Sequence, residues 1–194
     1  VACIANLYRD NPFHSFQHAS HVTMSVTKLM SRIELEDSHQ KVADGKDGVD
    51  RILTNDPLTP FACAFSALIH DVDHSGVSND TLVQECNQLA NQYQNKSVAE
   101  QHSIDLAWNL LMEGRFEAFR AMIYQNEEEL LCFRQLVVNS VMATDIMDKE
   151  LKTQRNDRWS RVFDSVQPIP QHSSTRKDTK IEQRSRLPAR AIRE

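Results

Sequence analysis

Apolar residues recur at three- and four-residue intervals along most of the chain, the spacing that gathers them on one face of an α-helix. Val22, Met24, Val26, Leu29, Met30 and Ile33 form the first such run, over residues 20–33. A polar connection follows over 34–57, with turn signals at Asp44-Gly45 and Asp47-Gly48. Thr59 before Pro60 predicts an N-cap with proline at the first helical position, opening a helix through Ile69. Ser78-Asn79-Asp80 offers another helix start. Ser97 and Glu100 have the spacing of a capping box, ahead of Ile104, Leu106, Ala107, Leu110 and Leu111. Asn126 before Glu127, Glu128 and Glu129 puts a cap and three acids at a helix N-terminus, with an apolar helix from Leu130 to Ala143 beyond it. No segment alternates with the period of a strand. The predicted class is all-α.

From Ser165 the pattern fades. Residues 165–194 lack a sustained apolar face and are rich in Arg, Lys, Ser and Gln, which predicts a basic, disordered tail after a helical domain over 1–164. The 194 residues suffice for one domain with a substantial core, and only four glycines argue against a turn-rich β architecture. Trp108, Phe116, Phe119 and Met122, at near-helical spacing, are expected in that core. A net charge of −5 gives no reason to expect nucleic acid as a partner. No apolar run approaches the roughly 18 residues of a membrane span. The chain starts at Val1 without a signal segment and reads as a piece of something longer or an incomplete gene product. Cys3, Cys63, Cys86 and Cys132 are scattered, as expected of reduced core thiols in the cytoplasm.

Two polar clusters interrupt the apolar periodicity. In one, His14 and His18 stand four apart, a spacing that shares a face on a helix. In the other, His70 and His74 repeat it, with Asp71 between. Imidazole with carboxylate supplies the nitrogen and oxygen ligands that zinc accepts, and one carboxylate can bridge two ions. Plainer roles stand beside this one. Glu100 can be the third residue of its capping box, Thr144 and Asp145 can end a helix, and His102 can be a packed histidine. Asp73 and His21 are expected to be solvated or hydrogen-bonded. His39 and His172 receive no role.

These clusters carry a family resemblance. Phe13-His14-Ser15-Phe16-Gln17-His18-Ala19, His70-Asp71-x-x-His74-x-Gly76 with Asn79 following, Ser97-x-x-Glu100-x-His102 and Ala143-Thr144-Asp145 occur in the order of four motifs of the class I cyclic nucleotide phosphodiesterases. The chain resembles the catalytic domain of that family, a helical branch of the HD metallo-phosphohydrolases, over roughly residues 5–164. The resemblance implies a multi-helix domain that hydrolyses cyclic AMP or cyclic GMP to the 5′-monophosphate with two divalent ions, Zn2+ and Mg2+ or Mn2+. It assigns His18, His70 and Asp71 as metal ligands, with Asp71 reaching both ions, and His14 as general acid. His74, Glu100, Thr144 and Asp145 would orient metal-bound water. The family's fourth ligand, an aspartate on a later helix, and its purine-holding segment have no counterpart after Phe163-Asp164, and Asp178 is a poor substitute. The expectation is therefore a domain without its C-terminal helices. Its alternative role is a catalytically incomplete metal-binding or interaction module that self-associates through apolar side chains such as Leu136, Val137 and Val141.

Overall fold

The computed structural model describes residues 1–40, 56–85 and 88–163. Among them there are nine α-helices and no strand: α1 (Ala2–Ala5), α2 (Phe16–Gln40), α3 (Leu58–Ile69), α4 (Asn79–Gln84), α5 (Gln88–Gln92), α6 (Val98–Met112), α7 (Glu117–Ile123), α8 (Glu127–Met142) and α9 (Lys149–Phe163). The all-α expectation holds. The two Asp-Gly turns, Cys86, His172, Asp178 and the tail from 165 lie outside the described residues, as does the side chain of His39.

Ser78 caps α4 by accepting from the Thr81 amide at 3.2 Å, and Asn126 caps α8 by accepting from Glu129 at 2.9 Å. The Thr59 cap is not formed. Helix α3 begins two residues earlier than predicted, at Leu58 rather than Pro60, because Asp56 accepts both the Leu58 amide (2.9 Å) and the Thr59 hydroxyl (2.6 Å). Helix α2 also continues to Gln40, into the stretch expected to be a connection. No glycine or proline interrupts residues 34–40, so the helix has nothing to stop it there.

The core lies between α3, α6 and α8. Ala62, Phe65, Ile69, Val72, Ile104, Ala107, Leu111, Phe133, Val137 and Val141 form one buried cluster, with Phe133 at its centre against Phe61, Phe65, Trp108 and Tyr124. This corrects the exposure expected on α8. Val137 and Val141 are fully buried, and Leu136 packs against the same cluster. Helix α3 covers the face that a missing partner was expected to leave bare. Of the four core residues predicted between 108 and 122, Trp108 packs on the cluster and Phe116 is half-buried, whereas Phe119 and Met122 are exposed. A smaller cluster of Leu82, Ala90, Tyr93 and Val98 joins α4, α5 and the start of α6.

Candidate metal and active site

Helix α3 ends at Ile69, and its final turn delivers His70 and Asp71 at the edge of the core. Ile69 and Val72, both essentially inaccessible, flank the pair and hold the turn down. The His70 Nδ1 lies 2.9 Å from the Ala67 carbonyl, so that nitrogen donates and Nε2 presents its lone pair. Nε2 faces Asp71 Oδ2 at 3.2 Å, and His18 Nε2, arriving from the first turn of α2, lies 3.7 Å from the same oxygen. Ser15 starts that helix by accepting from the His18 amide at 3.3 Å. Asp71 Oδ2 is buried and has no hydrogen-bond partner. A lone pair facing a carboxylate oxygen repels it unless a cation stands between them.

A proton on His70 Nε2 is one such cation. Burial opposes ionisation of both members. The Asp71 carboxylate nevertheless holds the His70 imidazole above its ordinary pKa, and His70, His14 and His74 hold Asp71 below its own. The pair is built to share one positive charge.

The motifs pair across rather than within themselves. His14 and His18 do not share a helix face, because α2 begins only at Phe16 and His14 precedes it. His18 meets His70 with ring centroids 5.5 Å apart, while His14 stacks on His74 at 3.7 Å. Two groups result, His18–His70–Asp71 and His14–Asp71–His74, in each of which donor atoms lie within 4.8 Å of one another. Asp71 belongs to both. The tautomers distinguish them, however. His74 Nδ1 accepts from the Gly76 amide at 2.9 Å, so its Nε2 carries the proton and is a donor. Burial, and then the nearby His14, lower the His74 pKa, while the Asp71 charge opposes them.

Glu100 does not close a capping box. Ser97 has φ 39°, in the left-handed region, and its hydroxyl donates to Asp145 Oδ2 at 2.7 Å instead of capping α6. Asn79 replaces it: its Oδ1 accepts from the Ala99 amide (2.9 Å), and its Nδ2 donates to Glu100 Oε2 (2.9 Å) and Asp145 Oδ2 (3.2 Å). Burial raises the Glu100 pKa, Asn79 opposes that, and the charges of Asp145 and Asp71 add to it. Asp145 is buried, and its Oδ1 accepts from Met147 and Asp148 at 3.0 and 3.1 Å. Asn79 links it to Glu100. Thr144 closes the end of α8 by donating to Val141 at 2.7 Å, and His21 is exposed.

Three residues escaped sequence reasoning. Tyr8 Oη donates to Leu68 O at 2.8 Å, and burial, then the Asp71 charge, push its phenol well above the ordinary value. Arg9 grips Asp73, and Asn11 Oδ1 accepts from the amides of Phe13 and His14. Nothing in the residue pattern marks Tyr8 or Arg9, whose partners are about sixty residues away.

Residues 13–184 match the model of the 3′5′-cyclic nucleotide phosphodiesterase family. The chain belongs to this family. The match runs beyond Asp164, where the resemblance was expected to stop, although the last of the four motifs ends at Asp145. A Drosophila melanogaster 3′,5′-cyclic-AMP phosphodiesterase, isoform F, is 33% identical over 138 residues, 71% of this chain and 18% of the relative. The mouse dual specificity calcium/calmodulin-dependent 3′,5′-cyclic nucleotide phosphodiesterase 1C is 35% identical over 136 residues, 70% of this chain and 17% of the relative. The chain thus spans less than a fifth of the length of these relatives. The crystal structure of the phosphodiesterase domain of a Salpingoeca rosetta RhoPDE fusion protein superposes with a TM-score of 0.61 at 23% identity, over 83% of this chain and 44% of that one. That likeness establishes the helical fold.

The residues present fit a divalent ion. The buried, partnerless Asp71 oxygen faces two imidazole nitrogens, one of them held in the ligand tautomer, and this is a nitrogen–oxygen donor set that zinc accepts. No helix among the described residues is long and apolar enough to cross a membrane.

Proposed function

We propose that the chain forms the metal-binding part of a 3′,5′-cyclic nucleotide phosphodiesterase site and hydrolyses cyclic AMP or cyclic GMP to the 5′-monophosphate. The observation that carries this is Asp71 Oδ2, buried without a hydrogen-bond partner between His18 and His70. His18, His70 and Asp71 hold the first ion, Zn2+, and Asp71 is shared with the site of the second, Mg2+ or Mn2+. When bound, the ions supply an activated water and offset charge on the phosphoryl group.

The protein's own groups do the rest. His14 protonates the departing 3′ oxygen, as suits an imidazole beside the shared carboxylate. His74, with its proton on Nε2, donates toward the phosphoryl group or a water bound near it. Glu100, protonated more readily than an ordinary glutamate, accepts from or donates to water on the same side. Asp145 is a positioning residue that orients Asn79 and, through it, Glu100. We also assign the chain to the cytoplasm, consistent with free thiols at Cys3, Cys63 and Cys132.

The test is metal analysis of wild type and His70→Ala, with turnover of cyclic AMP and cyclic GMP measured in zinc and magnesium. Loss of zinc and of turnover in His70→Ala is expected. Equal zinc content in both proteins would refute the site. Zinc binding without turnover would leave a metal-binding module and refute the activity.

A further inference from the structure

Asp73 stands between Asp71 and His74 yet belongs to neither group of donor atoms. Its φ is 56°, a left-handed conformation that a non-glycine residue keeps only when its surroundings hold it there. Two elements do so. From the segment after α1, Leu7 O accepts the Asp73 amide at 3.1 Å, and Arg9 donates Nε and Nη2 to the two carboxylate oxygens at 2.6 and 3.1 Å. From α6, His102 Nε2 lies 2.8 Å from Oδ2, and the next residue, Ser103, donates to Val72 O at 2.7 Å.

The segment that carries Arg9 also carries His14. Along residues 7–14 it is tied to the end of α3 and the turn that follows at successive points: Tyr8 to Leu68 O, Arg9 to Asp73, and Asn11 against Gly76. A Cβ at Gly76, φ 88°, would come within 2.5 Å of Asn11 Nδ2, so the approach is close. Asn11 then accepts the His14 amide at 3.0 Å, and His14 stacks on His74. His14 is not on α2, so the helix does not aim it. The two-pronged Arg9–Asp73 bond is the strongest polar tie between the two strips of chain.

We propose that Asp73 and Arg9 are positioning residues that set His14 in register against His74 and Asp71. The proposal deepens the phosphodiesterase reading, in which His14 gives up a proton, but its geometric content stands without it. An ordinary surface ion pair would behave differently: Arg9 is half exposed, and loss of such a pair alone alters little.

Histidine-ring NMR on the full chain, with His14 assigned through His14→Gln, reads the stacking directly. Arg9→Met is expected to move the His14 and His74 ring resonances toward free-histidine positions while the thermal midpoint stays near that of wild type. Asp73→Asn is expected to do the same, and Arg9→Lys, which keeps the charge but not the fork, to recover part of the displacement. Arg115→Met, which breaks the exposed pair with Glu113, is the control and should leave the rings unmoved. In active preparations, kcat should fall about 10- to 100-fold in Arg9→Met at unchanged KM, as for a misplaced reacting group. Should Arg9→Met unfold, Arg9→Lys carries the same comparison. Unmoved rings in Arg9→Met and Asp73→Asn would overturn the proposal, as would moved rings with wild-type kcat. A wild type without turnover would refute the hydrolysis reading, and the ring shifts would still decide this one.

Discussion

Two buried aspartates sit at opposite ends of the same polar system, and their surroundings differ in kind. Asp145, 6% exposed at the end of α8, accepts from Ser97, Asn79, Met147 and Asp148. Asp71, 8% exposed after α3, keeps one oxygen without a hydrogen-bond partner and faces two imidazoles. A buried carboxylate with every lone pair satisfied contributes to the fold. One left with an unsatisfied oxygen costs stability until a cation arrives. The corner around Asp145 is therefore scaffold, and the turn around Asp71 is the place where binding energy is collected.

The contrast is broken most directly at Asp71. Asp71→Asn should weaken zinc binding roughly 10³-fold, one ligand's share of the ~10–16 kcal/mol that a structural zinc site supplies. Competition with a chromophoric chelator measures it. In EDTA at pH 8, the same variant should melt at or above the wild-type temperature, because an amide removes the uncompensated charge. A large drop there would place Asp71 in the scaffold class.

Asp145→Ala should show the reverse. It strips four donors of their acceptor and should cost about 3 kcal/mol in denaturant unfolding of the metal-free chain. Its effect on zinc affinity should stay within the ~10–100-fold typical of a group acting behind a ligand. A loss of affinity as large as that of Asp71→Asn would erase the distinction.

Ser97→Ala is a finer probe of the scaffold. It removes one hydrogen bond to a buried charge and should cost about 1.5 kcal/mol. Zinc affinity is expected to remain unchanged, since Asn79 still holds Glu100.

The smallest effect is one of pH. The His70 pKa is raised in the folded chain, so its contribution to metal-free stability is complete below the unfolded histidine value of about 6.5. It is lost as pH rises through the folded value. Relative to His70→Ala, wild type should therefore lose thermal stability in EDTA from pH 6 to pH 8, since the lowered His74 pKa acts in the opposite direction but is common to both proteins. Zinc binding should run the other way and strengthen as the ligands lose their protons. An identical pH dependence in wild type and His70→Ala would show that the pair shares no charge.

Much was legible from local pattern. The helical periods of α3, α6 and α8, the Ser78 and Asn126 caps, and the residue types of the cluster all follow from neighbours within a turn or two of one another. The capping box at Ser97 was misread for a physical reason: Asp145 and Asn79, distant in sequence, compete for its two members and win because their bonds are charge-assisted and buried. The apolar face of α8 was misjudged likewise, since its cover, α3, lies some seventy residues upstream.

The sequence by itself determined which elements are helical and which side chains could bind a cation, because propensity, capping and ligand chemistry are local properties of the chain. Only the tertiary structure decided which histidine meets which. It put His18 on His70, His14 on His74, and Arg9 on Asp73. Spacing within a motif carries no information on such pairings, which are set by how α2 and the segment before it dock on α3. The same docking left one oxygen of Asp71 without a partner, and it gave every oxygen of Asp145 one.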